Sequence, residues 1–139
     1  MLADLGLKMP YLIDTNILIY SLKNSGNVNK KFQEKQNTDM SISVVSYGEL
    51  VFGAEKSQYR EKNMRTVQSI SEIFPIENIT ADIMECFGKL KAQLQKSGKV
   101  IDDMDLLIAS TAISRNMILV THNSKHFIEI PNLTIEDWF

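Results

Sequence analysis

The chain has one cysteine, Cys86, in 139 residues, so no disulfide can close within it, and that usage fits a reducing compartment. No apolar run approaches the roughly 20 residues that a membrane-spanning helix needs. The first residues, Met1 to Met9, lack the basic start, long apolar stretch and small-residue cleavage site of a secretory signal. The expected location is therefore the cytoplasm, with no membrane partner. An excess of positive charge is also missing: 15 Lys and Arg stand against 17 Asp and Glu, for a net charge of −2. A passive nucleic-acid coat protein is usually basic, so that class recedes. An enzyme whose bound cation supplies the local positive charge remains open. There is no Ser/His/Asp set, no Walker loop and no dinucleotide glycine fingerprint. His122 and His126 flank Asn123 without the spacing of a metal site and read as surface loop residues. Cys86 sits beside an apolar helical stripe and reads as a packing residue. No repeat, low-complexity tract or linker is present.

What is present is a core-forming chain of one-domain length with 44% apolar residues. Tyr11 to Ile13 reads as a buried strand, and Asn16 to Leu22 as a helix that is apolar nearly all round. Asn24 to Asn27 breaks it. The pattern then predicts a lysine-bearing helix over 28–36, a strand over 40–45, a helix opening at Ser46 and a helix over 61–73. A short strand follows over 74–76. Thr80 is the expected cap of a long helix with the stripe Ile83, Phe87, Leu90 and Leu94, stopped at Gly98. The remainder reads as a helix over 103–114, a strand over 117–121 and a last strand over 133–135. Strands alternating with helices imply an α/β fold with a mostly parallel sheet and helices on both faces.

The acids carry the chemistry. Asp14 ends the first strand, Glu49 follows the second, and Asp102, Asp103 and Asp105 open the late helix. In an open α/β sheet, ligands bind at the carboxyl ends of the strands. Each acid has an ordinary structural reading as well. Asp14 is a favoured cap residue. Ser46 and Glu49 match the Ser-x-x-Glu capping box. Asp102 can cap its helix while Asp103 and Asp105 favour the helix dipole. Taken together, three junctions placing acid at one sheet edge point to a divalent cation. Oxygen donors without cysteine or histidine suit Mg²⁺ or Mn²⁺ rather than Zn²⁺.

From Tyr11 to Trp138 the chain resembles PIN-domain ribonucleases, and among them the VapC toxins of VapBC toxin–antitoxin pairs. The resemblance rests on Leu12-Ile13-Asp14-Thr15-Asn16, on Ser46-Tyr47-Gly48-Glu49-Leu50 with Gly53 and Ala54, and on Gly98-Lys99-Val100-Ile101 leading into Asp105-Leu106-Leu107-Ile108-Ala109. It continues through Leu119-Val120-Thr121-His122-Asn123 with His126-Phe127 and closes on Ile135-Glu136-Asp137-Trp138. No single piece is specific; their order and spacing are diagnostic. The resemblance implies a three-layer fold with about five strands. It implies an endoribonuclease that uses Mg²⁺ or Mn²⁺ and cleaves cellular RNA, often tRNA or rRNA, to block translation. It further implies a homodimer silenced by a VapB antitoxin in a hetero-oligomer. Asp14, Glu49 and Asp105 match the family's metal-binding and catalytic acids. Thr15 matches a small hydroxyl residue supporting the first acid, and Asn123 a fourth position that is often Asp. Asp103 is expected to supply some of the charge that Asn123 lacks.

The apolar girth of the helix after Asp14 is a second ground for a dimer. Basic residues at 30, 31 and 35, or at 89, 91 and 96, are candidates for holding an RNA backbone, with solvation as the ordinary reading of each. A catalytically weak PIN scaffold and a Mg²⁺-dependent phosphatase are the competing functions. A haloacid-dehalogenase-type phosphatase wants a second Asp two residues after the first, where this chain has Asn16. One domain is expected over residues 1–139, with Met1–Lys8 as an extension and Met9 as an alternative start.

Overall fold

The computed structural model describes residues 8–139. The expected extension therefore lies, apart from Lys8, outside the described residues. The elements run β1 (Tyr11–Ile13), α1 (Thr15–Leu22), α2 (Val28–Glu34), β2 (Met40–Ser43), α3 (Val44–Glu55), α4 (Arg60–Ile73), β3 (Ile76–Glu77), α5 (Ala81–Lys96), α6 (Asp103–Ser114), β4 (Ile118–Val120), α7 (Ser124–Phe127) and β5 (Ile135–Glu136). The five strands form one sheet in the order β3-β2-β1-β4-β5. Every pairing is parallel.

Alternation along the central strands builds the three layers, because successive strand residues point to opposite faces. On one face, Tyr11 and Ile13 of β1 pack with Ile17, Leu18, Leu50, Ala54, Val67 and Ile70 from α1, α3 and α4. On the other, Leu12 and Leu119 pack with Leu90, Leu94, Leu106, Ile108 and Phe127 from α5, α6 and α7. The buried residues of both clusters are almost fully shielded from solvent.

Local capping explains where the structure departs from the sequence pattern. The pattern runs the second strand through the β-branched Val44 and Val45. The chain instead enters α3 at Val44, because the Ser43 hydroxyl accepts the Val45 N–H at 3.1 Å. Ser46 is therefore no capping residue. It lies inside the first turn of α3, buried, and its hydroxyl has no hydrogen-bond partner among the described residues. Thr80 stands at the head of α5 but its hydroxyl does not cap it. That hydroxyl donates to Asp82 and accepts from Arg115 Nη2. The helix α7 was not visible in the sequence pattern; four residues carry no helical period.

The apolar girth of α1 is largely absorbed inside the protomer. Ile17 and Leu18 are buried, Ile19 and Tyr20 pack against the core, and Leu22 alone stays well exposed. That narrows the dimer argument drawn from this helix to one side chain.

The carboxyl-terminal residues close the core. Trp138 is buried and meets Tyr11 edge-on, with ring centroids 4.9 Å apart. Phe139 stacks on His122 at 4.3 Å and meets Tyr20 at 4.7 Å. Gly26 makes room for it: φ is +59°, and a Cβ there would come within 3.0 Å of the Phe139 ring. His122, read from sequence as a surface residue, is thus half-buried in this aromatic group and bonded through Nδ1 to Asp137 at 2.9 Å.

Candidate active site

Strand order fixes where a site can form. From β1 the sheet grows one way to β2 and β3, and the other way to β4 and β5. The winding direction reverses between β1 and β4, and the crevice beyond their carboxyl ends is where open α/β sheets bind ligands. Asp14 follows β1 and Thr121 follows β4. Their side chains meet across this crevice, with Thr121 Oγ1 donating to Asp14 Oδ2 at 2.8 Å. The other Asp14 oxygen, Oδ1, accepts the Thr15 N–H at 2.9 Å, so the residue also caps α1. The structural and functional readings of Asp14 are compatible, because each carboxylate oxygen keeps a lone pair after accepting one bond.

The network extends in both directions. Asn123 enters through its backbone, donating its N–H to Thr121 Oγ1 at 3.0 Å. Thr15 Oγ1 donates to Glu49 Oε1 at 2.8 Å and ties α3 to the head of α1. The sequence reading gave Thr15 the support of the first acid. Its backbone does so, but its hydroxyl supports Glu49, and Thr121 is the hydroxyl that holds Asp14. Thr121 was missed as a site residue. The available signal was its position: it follows a strand paired with the strand that Asp14 follows.

Asp105 comes from the first turn of α6 and is a quarter exposed. His126 Nδ1 lies 3.4 Å from its Oδ2. Asp103, expected to supply charge at the site, instead turns to Lys91 on α5, bonded at 2.9 Å. Helical geometry is the reason. Residues two apart on a helix point to nearly opposite sides, so Asp103 and Asp105 cannot share a face. The neighbour that does bear on the site is Asp102, the N-cap of α6, whose charge disfavours ionisation of both Glu49 and Asp105.

Burial and mutual repulsion define the electrostatics. Asp14 is 5% exposed, and this burial pushes its pKa up against the lowering effect of its two hydrogen bonds. Asp105 is raised first by burial, with Asp102 and Glu49 adding to it and His126 opposing. Glu49 is exposed, yet partial desolvation still leads the causes that raise it, followed on that side by Asp14 and Asp102. Three acids that raise one another's proton affinity form a site short of positive charge. Among the described residues no three His, Cys, Asp or Glu side chains are gathered tightly enough to grip one ion by themselves. The donor chemistry nonetheless fits a hard divalent cation, since Mg²⁺ takes one or two carboxylates and keeps several waters.

The candidate basic residues are rearranged as well. Lys31 pairs with Glu34 at 3.8 Å and Lys91 with Asp103. The basic side chains beside the acids are Lys99, Lys125 and His126, which line a cavity of about 360 Å³ next to Asp105. A larger cavity, about 940 Å³, opens at the other end of the sheet, around Pro10, Met40, Pro75 and Met117 at the strands' amino ends. It holds none of the three acids. No helix among the described residues is long and apolar enough to cross a membrane.

Comparison with known proteins agrees with the fold. The pattern of the PIN domain matches residues 11–133. Ribonuclease VapC2 of Rickettsia felis is 37% identical over 133 residues, covering 94% of this chain and 98% of the relative. The tRNA(fMet)-specific endonuclease VapC of Shigella flexneri is 34% identical over 131 residues, with the same coverage of 94% and 98%. Among solved structures, VapBC2 from Rickettsia felis bound to a DNA fragment from its promoter superposes with a TM-score of 0.88 at 34% identity, covering 94% of this chain and 100% of that one. VapBC-1 from nontypeable Haemophilus influenzae gives 0.84 at 36% identity, covering 94% and 98%. The PIN-domain match over residues 11–133, with 34–37% identity to these ribonucleases over nearly the whole chain, makes this chain a member of the PIN-domain family and, within it, of the VapC ribonucleases.

Proposed function

We propose that the chain is a divalent-cation-dependent endoribonuclease toxin that cleaves cellular RNA, with tRNA as the first substrate to test, and that a VapB-type antitoxin restrains it. The observation that carries the reading is the Thr121–Asp14 bond across the switch point. It fixes a buried carboxylate, itself starved of positive charge, where a ligand would sit. Asp14, Asp105 and Glu49 would hold Mg²⁺ or Mn²⁺, in part through water. Such an ion supplies an activated water and neutralises charge at the phosphate being attacked.

The chain's own groups do the positioning. Thr121 and the Thr15 N–H fix both Asp14 oxygens. The Thr15 hydroxyl restrains Glu49, whose exposure leaves it facing solvent and substrate. Asp105 is anchored by α6, whose buried face (Leu106, Ile108 and Ala109) locks the helix on the sheet. Fixed carboxylates of this kind need no reorganisation when charge develops at phosphorus. The proposal includes a homodimer and a toxin–antitoxin hetero-oligomer, in line with VapBC structures as neighbours.

The test is cleavage of total RNA and of purified tRNA by the isolated chain, with Mg²⁺, with Mn²⁺ and with EDTA. Cleavage that requires either ion supports the reading. Undiminished cleavage in EDTA, or hydrolysis of a generic phosphomonoester in place of RNA, overturns it.

A further inference from the structure

The cavity beside Asp105 has features that the acid site itself does not use. Its volume of about 360 Å³ is within the usual range for small-ligand pockets. Its basic side chains are not equivalent. Lys99 is paired with Glu129. Lys125 is exposed and makes no ion pair among the described residues. The His126 side chain is 60% exposed although Nδ1 approaches Asp105, so the ring is tethered at one edge and open on the rest. Val100 stands at the rim with 97% of its surface free, in the turn that follows Gly98 (φ +72°). A tethered flat ring, a free cation and an apolar rim beside a phosphate-cleaving centre match the needs of a nucleotide taken out of its stack. Such a nucleotide presents a flat face to stack, a charge to neutralise and an apolar edge to cover. A base inside a duplex cannot reach a concave pocket without being extruded.

We propose that this cavity seats one unpaired ribonucleotide adjoining the phosphate to be cut, with the His126 ring as its stacking platform and Lys125 as the contact to its phosphate. The inference rests on the endoribonuclease reading and deepens it. It makes the substrate a single-stranded loop or end rather than a helix. Discrimination then comes from whether a base is free to leave its stack.

The experiment measures binding of a fluorescent RNA hairpin with a single-stranded loop, and of the same strand closed into a full duplex. Chains carry Asp14→Asn so that the RNA survives. Adding His126→Ala should weaken hairpin binding by roughly 10- to 100-fold, the scale of losing one base–ring stack. Adding His126→Phe should restore it, because stacking is kept and the Asp105 contact is not. Adding Lys125→Gln should lower the salt dependence of binding by about one phosphate contact. Duplex binding should be weak and unmoved by the His126 variants. The inference is overturned if His126→Ala binds the hairpin like its parent, if His126→Phe is as weak as His126→Ala, or if the duplex binds as well as the hairpin. Melting temperatures of each variant check the fold. Cleavage by the unsubstituted chain is run in parallel. If that chain cuts RNA while the binding predictions fail, only the nucleotide seat is lost; if it cuts no RNA with either ion, the endoribonuclease reading itself fails.

Discussion

Two acidic sites in this molecule are built in opposite ways. At the outer end of α6, Asp82 is met by Arg115 at 2.6 Å and by the Thr80 hydroxyl. Those hydrogen bonds, led by the guanidinium, hold its carboxyl well below the usual carboxylate range. At the sheet's carboxyl edge, Asp14 and Glu49 have hydroxyl or amide donors and Asp105 has the His126 ring, but none has a Lys or Arg bonded to it among the described residues, and all three are shifted upward. The first acid comes with its own cation and works as a brace between α5 and α6. The second set is pre-positioned but not neutralised, and its folded arrangement is completed only by something added. An exposed pair such as Asp82–Arg115 adds little to stability in water. A buried, unneutralised acid costs stability, which suggests a role other than structure.

The comparison breaks most visibly at Asp14. Asp14→Asn should lower RNA cleavage by at least about a hundredfold, the scale of losing one pre-set electrostatic contact at a reacting centre. Its melting temperature should hold or rise. Asn retains the acceptor for the Thr15 N–H, and Thr121 Oγ1 can accept from the new amide. If the variant unfolds and metal leaves the parent unchanged, Asp14 is a cap and nothing more.

Mg²⁺ titration sharpens the contrast next. An ion that binds only the folded site stabilises by about 2.7 kcal/mol at a hundredfold excess over Kd. The resulting rise in melting temperature should shrink in Glu49→Gln and in Asp105→Asn. Asp82→Asn should leave it intact. A shift equal in all three would move the ion elsewhere.

The pH dependence follows from the direction of the shifts. An acid whose folded pKa is raised binds its proton more tightly when folded, so the folded state gains stability at low pH. That contribution is full below the ordinary carboxylate pKa and is lost as pH climbs through the raised folded values. Without divalent ions, the melting temperature should therefore fall as pH rises above about 4, the ordinary carboxylate value. Asp14→Asn should flatten the fall, as should saturating Mg²⁺. Asp82 carries the opposite sign, its lowered pKa favouring the fold above the usual range. A parent curve that rises over the same interval would contradict the assignment.

Ser46→Ala is a smaller test of the same edge. It removes a buried hydroxyl without a partner, a group that costs roughly 1–3 kcal/mol when unsatisfied, and should raise the melting temperature. A fall would mean that the hydroxyl finds a partner in solution. The smallest effect belongs to Arg115→Gln, which should lower the melting temperature slightly, leave RNA cleavage unchanged and respond to salt rather than to Mg²⁺.

The sequence made much of this legible because the fold is locally consistent. Alternating strand residues, the apolar stripe of α5 and the Asp103–Ser114 helix are short-range patterns, and they appear in the structure with small shifts at their ends. The three principal acids were legible as strand-end or helix-head carboxylates. What escaped depended on contacts between distant segments or on where a helix begins. Thr121 matters only because β4 lies beside β1, a pairing across 107 residues. The choice between Asp102 and Asp103 turns on the α6 start, which sets which acid caps and which swings to Lys91. The capping box that was the ordinary alternative for Glu49 does not form, because one competing serine, Ser43, sets the helix start and places Glu49 in the second turn. His126 looked like a loop residue because α7 is too short to announce itself.

The aromatic closure around Trp138 and Phe139 has a consequence in time. Tyr11, two residues from the end of β1, packs on a ring 127 positions later, and Thr121 reaches Asp14 from a strand flanked by β5 at 135–136. The ring that covers Tyr11 and the hydroxyl that fixes Asp14 are therefore translated long after the groups they contact. Translation makes the first acid of the edge well before the threonine that holds it in place.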